Sequence, residues 1–387
     1  MIINPADRTK TVQEYYFSTK LAQIERMRRD GADVINLGIG SPDQPPSENT
    51  IARLSSEAMK PSVHGYQSYT GAPVLRKAFS DWYRKYFRVE LNPDNEILPL
   101  LGSKEGIMHI SMAFINAGDE VLIPDPGYPT YSSVTNLVGG IIRTYDLTEI
   151  NGWMPDLEAL EKTDLSKVKI MWVNYPNMPT GAHASIELFE KLVAFAQKHK
   201  VLLCNDNPYS FILSDEYRSI LEIDGAREVA LELNSLSKSH NMAGWRVGMV
   251  AGKSEYIKEI LKVKSNMDSG MFLPMQLAAV EALNNPESWY TTVNQVYVKR
   301  RKIVEDIMQL LNCKIDKSQT GLFVWGGLPQ NVESCESYVE EILNKAHVFL
   351  TPGFIFGKNG DRYIRISLCA TEERLLEAKA RLEKMKG

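Results

Sequence analysis

Residues 235–248 read Ser235-Leu236-Ser237-Lys238-Ser239-His240-Asn241-Met242-Ala243-Gly244-Trp245-Arg246-Val247-Gly248 and follow a strand-like run, Val229-Ala230-Leu231-Glu232-Leu233. This order predicts that Lys238 lies at the carboxyl end of a core strand. Ligands of open parallel sheets gather at that edge, and an amine there suits covalent capture of a carbonyl group. A single lysine is more often a solvated surface charge, but these surroundings favour the functional interpretation.

The middle of the chain alternates short apolar runs with longer helical patterns, which is typical of a parallel α/β sheet. The clearest helix is predicted at 186–199, where one face is apolar. The strand candidates are short, apolar and bounded by turn residues: 97–101, 120–123, 169–173, 201–204, 229–233 and 247–251.

Two breaks in the pattern divide the chain. The Pro-rich turn at 41–46 and the sequence Asn284-Asn285-Pro286 mark the ends of a central large domain. We predict an N-terminal arm and part of a small domain at 1–45, a large cofactor-binding domain at 46–284, and a small C-terminal domain at 285–387.

Composition excludes several classes of protein. A chain of 387 residues with 44% hydrophobic residues and a net charge of −4 predicts a globular fold with neither a nucleic-acid-binding surface nor a membrane partner. Cys204, Cys313, Cys335 and Cys369 are far apart, so we expect neither disulfides nor a zinc site. The N-terminal residues 1–7 lack a leader pattern, and we expect a cytoplasmic location.

A glycine turn follows the first strand candidate. Gly102, Ser103 and Lys104 lead into a helical stretch, where backbone N–H groups and the positive end of the helix dipole can bind an anion such as phosphate. An ordinary turn with an N-cap serine explains the same residues equally well.

Aromatic and acidic residues follow two other strand candidates. Tyr128 comes after the second run and can stack on a planar ring, although a packed core tyrosine fits as well. Asp206 ends the fourth run, with Tyr209 three residues later, and an aspartate there is normally a turn former or a helix cap.

Taken together, these segments resemble the class I/II aminotransferases of fold type I, in the branch that contains aspartate, alanine and LL-diaminopimelate aminotransferases. The resemblance extends over nearly the whole chain. It implies a mostly parallel seven-stranded sheet between helices in the large domain, a smaller α+β domain, and pyridoxal phosphate as cofactor. Lys238 would be the Schiff-base lysine that also transfers the substrate proton.

The resemblance also assigns roles to the other motifs. Asp206 would keep the pyridine nitrogen protonated, Tyr209 would donate to the phenolic oxygen of the cofactor, and Tyr128 would cover the ring. Tyr66 would reach the phosphate of a neighbouring subunit, so a homodimer is implied. The phosphate would be held by Gly102, Ser103, Lys104, Ser235, Ser237 and Arg246.

Substrate contacts follow from two further segments. The resemblance assigns Arg365, in the run Arg362-Tyr363-Ile364-Arg365, to the substrate α-carboxylate by a two-bond pairing. Gly38 and Gly40 resemble the loop that closes over the bound amino acid. The Gly38-Ile39-Gly40 sequence lacks the third glycine of a dinucleotide fingerprint, so a nicotinamide enzyme is the weaker interpretation.

One position departs from the family pattern. Most relatives read Asn-Pro-Thr-Gly where this chain has Met178-Pro179-Thr180-Gly181, so the asparagine that donates to the phenolic oxygen is replaced by methionine. Asn174 or Asn177 takes over this hydrogen bond, or the bond is absent.

The resemblance implies transfer of an amino group between an L-amino acid and a 2-oxo acid such as 2-oxoglutarate by a ping-pong mechanism. Aspartate, or another acidic or small amino acid, is the best sequence-based guess for the donor. The alternatives are LL-diaminopimelate as donor and a carbon–sulfur β-lyase of the same fold. A transcription regulator would need a DNA-binding extension, and a non-catalytic relative would be expected to lack Lys238, Asp206 or Arg365.

Overall fold

The computed structural model describes residues 3–12, 14 and 16–386. Met1 and Ile2, which begin the N-terminal stretch considered above, lie outside the described residues. The strands are β1 Ile35–Asn36, β2 Ile97–Leu100, β3 Glu120–Asp125, β4 Ile141–Asp146, β5 Val168–Val173, β6 Leu202–Asp206, β7 Ala230–Ser235, β8 Gly248–Gly252, β9 Lys314–Ile315, β10 Phe323–Gly327, β11 Val348–Phe349, β12 Thr351–Pro352 and β13 Tyr363–Ser367.

The helices separate these strands along the chain. They are α1 Tyr16–Arg29, α2 Glu48–Ala58, α3 Pro73–Phe87, α4 Ser103–Phe114, α5 Pro129–Leu137, α6 Leu157–Glu161, α7 Ile186–His199, α8 Leu236–Ser239, α9 Ser254–Lys264, α10 Leu273–Leu283, α11 Glu287–Leu310, α12 Cys335–Ala346 and α13 Glu372–Lys386. Short 3-10 turns lie at Asp7–Lys10, Pro61–Val63, Ile220–Glu222, Ala226–Glu228, Ala243–Trp245, Gly353–Phe356 and Lys358–Gly360.

A seven-stranded sheet in the order β2-β8-β7-β6-β5-β3-β4 forms the centre of the fold. Strands β7, β6, β5, β3 and β4 run parallel, and β8 runs antiparallel to both β7 and β2. The mostly parallel α/β sheet expected from the family resemblance is therefore confirmed.

Both faces of this sheet are buried, because successive residues of one strand enter different core clusters. In β3, Val121 and Ile123 pack on one face and Leu122 on the other. Such strands are continuous apolar runs, and this explains why the central strands were recognisable in the sequence. Strand β4 was missed, because it lies at the sheet edge and its Ile141 is 49% exposed.

Helix α7 forms where the sequence predicted it. The Ser185 side chain accepts a hydrogen bond from the Leu188 N–H at the start, and Lys200 ends the helix in the left-handed conformation, with φ 56°. Leu188, Phe189 and Leu192 are buried against the sheet. The capping residues and the apolar face therefore both indicate a helix over this segment.

A second, smaller sheet joins β12, β13, β10 and β9 in that order, and all of its neighbours are antiparallel. Strand β1 pairs in parallel with β11, with Ile35 opposite Val348. This pairing places the segment before α2 beside the C-terminal segment, as the predicted small domain requires. The proposed boundaries near 45 and 284 stay a prediction.

All four cysteines are free, as expected. Among the described helices, none has the length and hydropathy needed for a membrane crossing.

Candidate active site

A cavity of about 600 Å³ opens at the carboxyl edge of the large sheet, where β3, β5, β6 and β7 end. Most of the predicted site residues line it: Gly40, Ser103, Lys104, Tyr128, Asn174, Asp206, Tyr209, Ser235, Ser237, Lys238, Arg246 and Arg365. Residues that are far apart in the chain meet here because parallel strands place their carboxyl ends side by side.

Lys238 lies on the short helix α8, directly after β7. Its Nζ donates a hydrogen bond to the carbonyl oxygen of Gly40. Burial lowers the pKa of the Lys238 ammonium, because the charged form loses its hydration. A lysine with a lowered pKa has a larger neutral fraction, and only the neutral amine acts as a nucleophile or a base.

Gly40 approaches an aromatic ring of the small sheet. A Cβ atom at Gly40 would lie 2.1 Å from Cζ of Phe323, so any side chain would collide with the ring. Glycine therefore allows the loop that holds the Lys238 amine to lie directly over β10.

The turn before α4 forms an anion-binding cradle. Gly102 has a positive φ of 89°, and a Cβ atom there would lie 2.1 Å from Nη2 of Arg246. Arg246 donates to the carbonyl oxygens of Ala243 and Leu101, at 2.9 and 3.2 Å. These bonds hold its guanidinium beside the first turn of α4, where Ser103 lies. A phosphate group fits this combination of guanidinium and helix N-terminus.

Two serines extend the cradle. The hydroxyl of Ser235 donates to that of Ser237, with an O–O distance of 2.8 Å, and accepts from the Ser237 N–H. Both residues line the cavity. Together with Arg246, they bring two hydroxyl groups to the wall of the cavity.

Asp206 is 4% exposed and points into the cavity from the end of β6. Its Oδ2 accepts a hydrogen bond from the Tyr131 hydroxyl at 3.2 Å, whereas Oδ1 has no hydrogen-bond partner among the described residues. Burial raises the pKa of the Asp206 carboxyl to about 7, although Tyr131 and Ser103 oppose the shift. A buried carboxylate with one unused oxygen matches a cationic ring N–H.

Tyr209 is 8% exposed and lines the same cavity. Burial raises the pKa of its phenol, so the hydroxyl stays protonated and can donate a hydrogen bond. Tyr128 lies at the rim, with its ring edge-on to that of Tyr131 and a centroid distance of 5.6 Å.

These features fit pyridoxal phosphate. The cradle around Gly102 suits its phosphate, the unused Oδ1 of Asp206 suits its ring nitrogen, and the Lys238 amine suits its aldehyde. Tyr209 supplies a donor for the phenolic oxygen.

Arg365 lies on β13, with its guanidinium carbon 3.8 Å from the ring centre of Phe323 and 4.7 Å from that of Phe356. Its Nη2 donates to the carbonyl oxygen of Gly38 at 2.8 Å, and its Nη1 lies 3.1 Å from Sδ of Met178. The aromatic rings and the Gly38 carbonyl orient the guanidinium within the cavity.

Asn174 and Asn177, the two asparagines near Met178, have different surroundings. Asn174 lines the cavity; its Oδ1 accepts from the Met178 N–H, and its Nδ2 donates to the backbone oxygen of Asp206. Asn177 is buried away from the cavity lining, where its Oδ1 accepts from the hydroxyl of Thr180. Of the two proposed substitutes for the missing asparagine, the structure brings Asn174 to the cavity and not Asn177.

Three other predicted residues are not in the cavity lining. Gly38 contributes its backbone carbonyl, which accepts a hydrogen bond from Arg365. Gly102 forms the turn that lies beside Arg246. Tyr66 is 94% exposed on a loop and does not reach the cavity of its own chain.

Sequence reasoning missed several lining residues, namely Phe17, Leu21, Ile39, Tyr131, Phe323 and Phe356. Tyr131 had a usable signal, because it lies one helical turn after Tyr128. The others are apolar residues of separate elements, and their patterns are those of ordinary core positions.

Comparisons with known proteins identify sequences similar to this chain. A family model described as "Aminotransferase class I and II" matches residues 32–382. The LL-diaminopimelate aminotransferase of Halothermothrix orenii is 40% identical over 380 residues, which are 98% of this chain and 97% of the relative. That of Aquifex aeolicus is 40% identical over 387 residues, with 98% and 99% covered.

Solved structures are also similar. Substrate-bound BacF from Bacillus subtilis superposes with a TM-score of 0.94 at 34% identity, covering 100% of this chain and 98% of that one. A probable N-succinyldiaminopimelate aminotransferase from Thermus thermophilus gives a TM-score of 0.88 at 31% identity, with 95% and 99% covered. A variant of Thermus thermophilus aspartate aminotransferase gives 0.91 at 25% identity, with 99% of both chains covered.

Proposed function

Because the chain belongs to the class I and II aminotransferases, we propose that it transfers an amino group from an L-amino acid to a 2-oxo acid such as 2-oxoglutarate by a ping-pong mechanism. Its cofactor is pyridoxal phosphate. The observation that carries the proposal is the cavity in which the Lys238 amine, the Asp206 carboxylate and the Arg365 guanidinium meet.

Each side chain has a defined task in this proposal. When bound, pyridoxal phosphate holds the amino group covalently and withdraws electrons from the substrate Cα. Lys238 removes the proton from the substrate Cα and would return it at the cofactor carbon bonded to the transferred nitrogen, a task that suits an amine with a lowered pKa. Asp206 keeps the ring nitrogen protonated, and Tyr209 donates to the phenolic oxygen. The cradle residues Gly102, Ser103, Lys104, Ser235, Ser237 and Arg246 bind the phosphate.

Arg365 binds the substrate α-carboxylate through its planar pair of donors, and lysine cannot reproduce that geometry. We expect Arg365→Lys to reduce kcat/KM for the amino donor about 10- to 100-fold, since hydrogen bonds to charged groups contribute roughly 1.5–3 kcal/mol. The loss should appear mainly in KM, as steady-state kinetics will show. An unchanged absorption spectrum of the bound cofactor is the control, and an unchanged KM would contradict the assignment.

We propose that the phenolic oxygen lacks the amide donor of the family pattern, since Met178 occupies that position and the Asn174 amide donates to the backbone oxygen of Asp206. We expect Met178→Asn to lower the pH midpoint of the absorbance change of the bound cofactor by about 1–2 units, because a donor to a charged oxygen contributes roughly 1.5–3 kcal/mol. The sign follows because the added bond stabilises the ionised oxygen, which then holds the proton shared with the Lys238 nitrogen less tightly. Met178→Leu adds no donor and is the control; equal midpoints in all three proteins would refute the prediction.

Tyr66 supports a homodimer. Its 94% exposed ring lies outside the cavity of its own chain, so the implied phosphate contact requires a second copy. We propose that Tyr66 of each subunit reaches the phosphate bound to the other. We also propose a cytoplasmic location, with which the four free thiols are consistent.

Two observations favour different donors. The names of relatives at 40% identity favour LL-diaminopimelate, which we propose first. The side of the cavity next to α1 is lined by Phe17, Leu21 and Ile39, which favours an apolar amino acid as the second candidate. Among the described lining residues, Arg365 is the only cation besides Lys104, Lys238 and Arg246, so this part of the lining offers no further cation for the side-chain carboxylate of aspartate. A distal charge would need a residue of the partner subunit.

The deciding experiment mixes the purified holoenzyme with single donors and follows the cofactor absorbance at equal concentrations. LL-diaminopimelate, leucine, phenylalanine, alanine and aspartate are compared by single-turnover rate. An amino donor should shift the long-wavelength band to shorter wavelength, and 2-oxoglutarate should restore it. If no donor shifts the band, the aminotransferase proposal fails, and release of pyruvate and ammonia from cystathionine would instead support the β-lyase.

A further inference from the structure

A second group of chemically active side chains lies outside the Lys238 cavity lining and does not depend on the proposed function. Glu105 and His109 are one turn apart on α4, and Asp268 follows α9. One ligand atom from each lies within 4.8 Å of the others. We call this group the Glu105–His109–Asp268 cluster.

The imidazole of this cluster is buried without hydrogen bonds. His109 is 2% exposed, and neither ring nitrogen has a hydrogen-bond partner among the described residues. Its Nε2 lies 3.2 Å from Oε1 of Glu105, but the contact lacks hydrogen-bond geometry. Oδ2 of Asp268 is likewise buried without a partner. Buried polar atoms are almost always satisfied, so two unpartnered groups within one cluster indicate a bound ligand.

The other oxygens of the cluster are already engaged. Oε2 of Glu105 accepts from the Leu101 N–H, and Oδ1 of Asp268 accepts from Lys264 Nζ and from the Gly270 N–H, both at 2.8 Å. These bonds fix both carboxylates. They leave Oε1 of Glu105, which lies 3.2 Å from His109 Nε2, and the unpartnered Oδ2 of Asp268 available to a further ligand.

The two carboxylates of the cluster outnumber the one lysine beside them. Two carboxylates face one ammonium, that of Lys264, whose side chain is 1% exposed. With a neutral imidazole the group carries one excess negative charge, in a place where the Glu105 and Asp268 side chains are 20% and 14% exposed. Uncompensated charge at such a site is costly, and a bound cation removes the cost.

We propose that the Glu105–His109–Asp268 cluster is a binding site for a divalent cation of the zinc class. One imidazole and two carboxylates suit Zn²⁺ or Co²⁺, whereas Mg²⁺ and Ca²⁺ prefer oxygen ligands alone. Ligand atoms about 2.1 Å from a tetrahedral metal are about 3.4 Å apart. Glu105 and His109 already meet that spacing at 3.2 Å. A carboxylate oxygen of Asp268 lies within 4.8 Å of both ligand atoms, so a small inward shift of its segment completes the set.

Such an ion would tie α4 to the segment after α9. The first turn of α4 contains Ser103 and Lys104 of the anion-binding cradle, so the ion would stabilise the position of that turn. Its role is structural, because the cluster residues do not line the cavity.

The test uses holoenzyme treated with a chelator and dialysed. Calorimetry with Zn²⁺ should show one ion bound per chain, and Co²⁺ should give visible absorption bands of a four-coordinate site. His109→Gln should weaken Zn²⁺ binding at least about 100-fold, because it removes the imidazole ligand. His199→Gln is the matched control, since His199 also faces a carboxylate, that of Glu161, at 3.1 Å, but in an exposed pair; its binding should equal that of wild type.

Two further variants test the site independently of whether His109→Gln folds. Asp268→Asn should also lose binding, and it replaces His109→Gln if that protein does not fold. Lys264→Met removes the competing ammonium and should tighten binding about 10-fold, whereas a purely structural ion pair would only lose stability. Absence of saturable binding to wild type, or equal affinity in wild type and His109→Gln, would overturn the site.

Discussion

Lys238→Ala should lose transamination by about 1,000-fold or more, because one side chain supplies both the covalent attachment and the proton transfer. General acid–base catalysis alone contributes roughly 100- to 10,000-fold. The variant should still bind pyridoxal phosphate, since the residues around Gly102 and Asp206 are untouched. Borohydride reduction followed by mass spectrometry will show the cofactor attached to wild type and not to the variant.

Two controls separate chemistry from folding in this experiment. Lys191→Ala removes an exposed lysine of α7 and should leave activity and attachment unchanged. Added methylamine should restore part of the Lys238→Ala activity, since a free amine can then carry the proton. If the variant keeps more than a few per cent of the wild-type rate, another residue performs the proton transfer.

The central sheet could be predicted from the sequence because its strands are buried on both faces and therefore read as apolar runs. Strand β4 could not be predicted in this way, because only Tyr145 among its residues is buried and its exposed pattern resembles that of a loop. Helix α7 could also be predicted, because its N-cap serine and its apolar face indicate the same segment.

The residues that line the cavity fall into two groups, according to which part of the fold supplies them. Lys238, Asp206 and Tyr128 directly follow or end strands, so the topology of a parallel sheet places them at one edge. Phe17 and Phe323 come from α1 and β10, outside the large sheet, and only tertiary packing brings them to the cavity. The sequence could therefore predict that these polar and aromatic residues meet at one edge of the sheet, but it could not predict the apolar residues proposed to shape the substrate side.

Tyr131 belongs to neither of these groups, because it makes both a core contact and a contact in the cavity. Its ring stacks on Trp172 at a centroid distance of 5.0 Å, which is an ordinary core contact, and its hydroxyl also reaches Asp206. An aromatic residue at helical spacing is usually read as core, and here it is both core and a positioning residue. The structure was needed to show the second contact.

Asp206→Ala is expected to reduce the rate of the first half reaction by about 1,000-fold, because the ring nitrogen loses the anion that keeps it protonated. A nearby opposite charge shifts a pKa by roughly 1–3 units, and three units correspond to about 4 kcal/mol. Single-turnover kinetics with the best donor will measure the loss.

A cofactor analogue tests this cause directly. Pyridoxal phosphate methylated at the ring nitrogen carries a permanent positive charge, so it does not require the Asp206 carboxylate. The space vacated in Asp206→Ala accommodates the methyl group beside the Tyr131 hydroxyl, which donates to Asp206 in the native chain. The analogue should raise the rate of Asp206→Ala at least about 10-fold over normal cofactor, yet leave Lys238→Ala inactive, because the latter lacks the proton carrier rather than the charge. Equal rates of Asp206→Ala with both cofactors would show that Asp206 acts through something other than the ring charge.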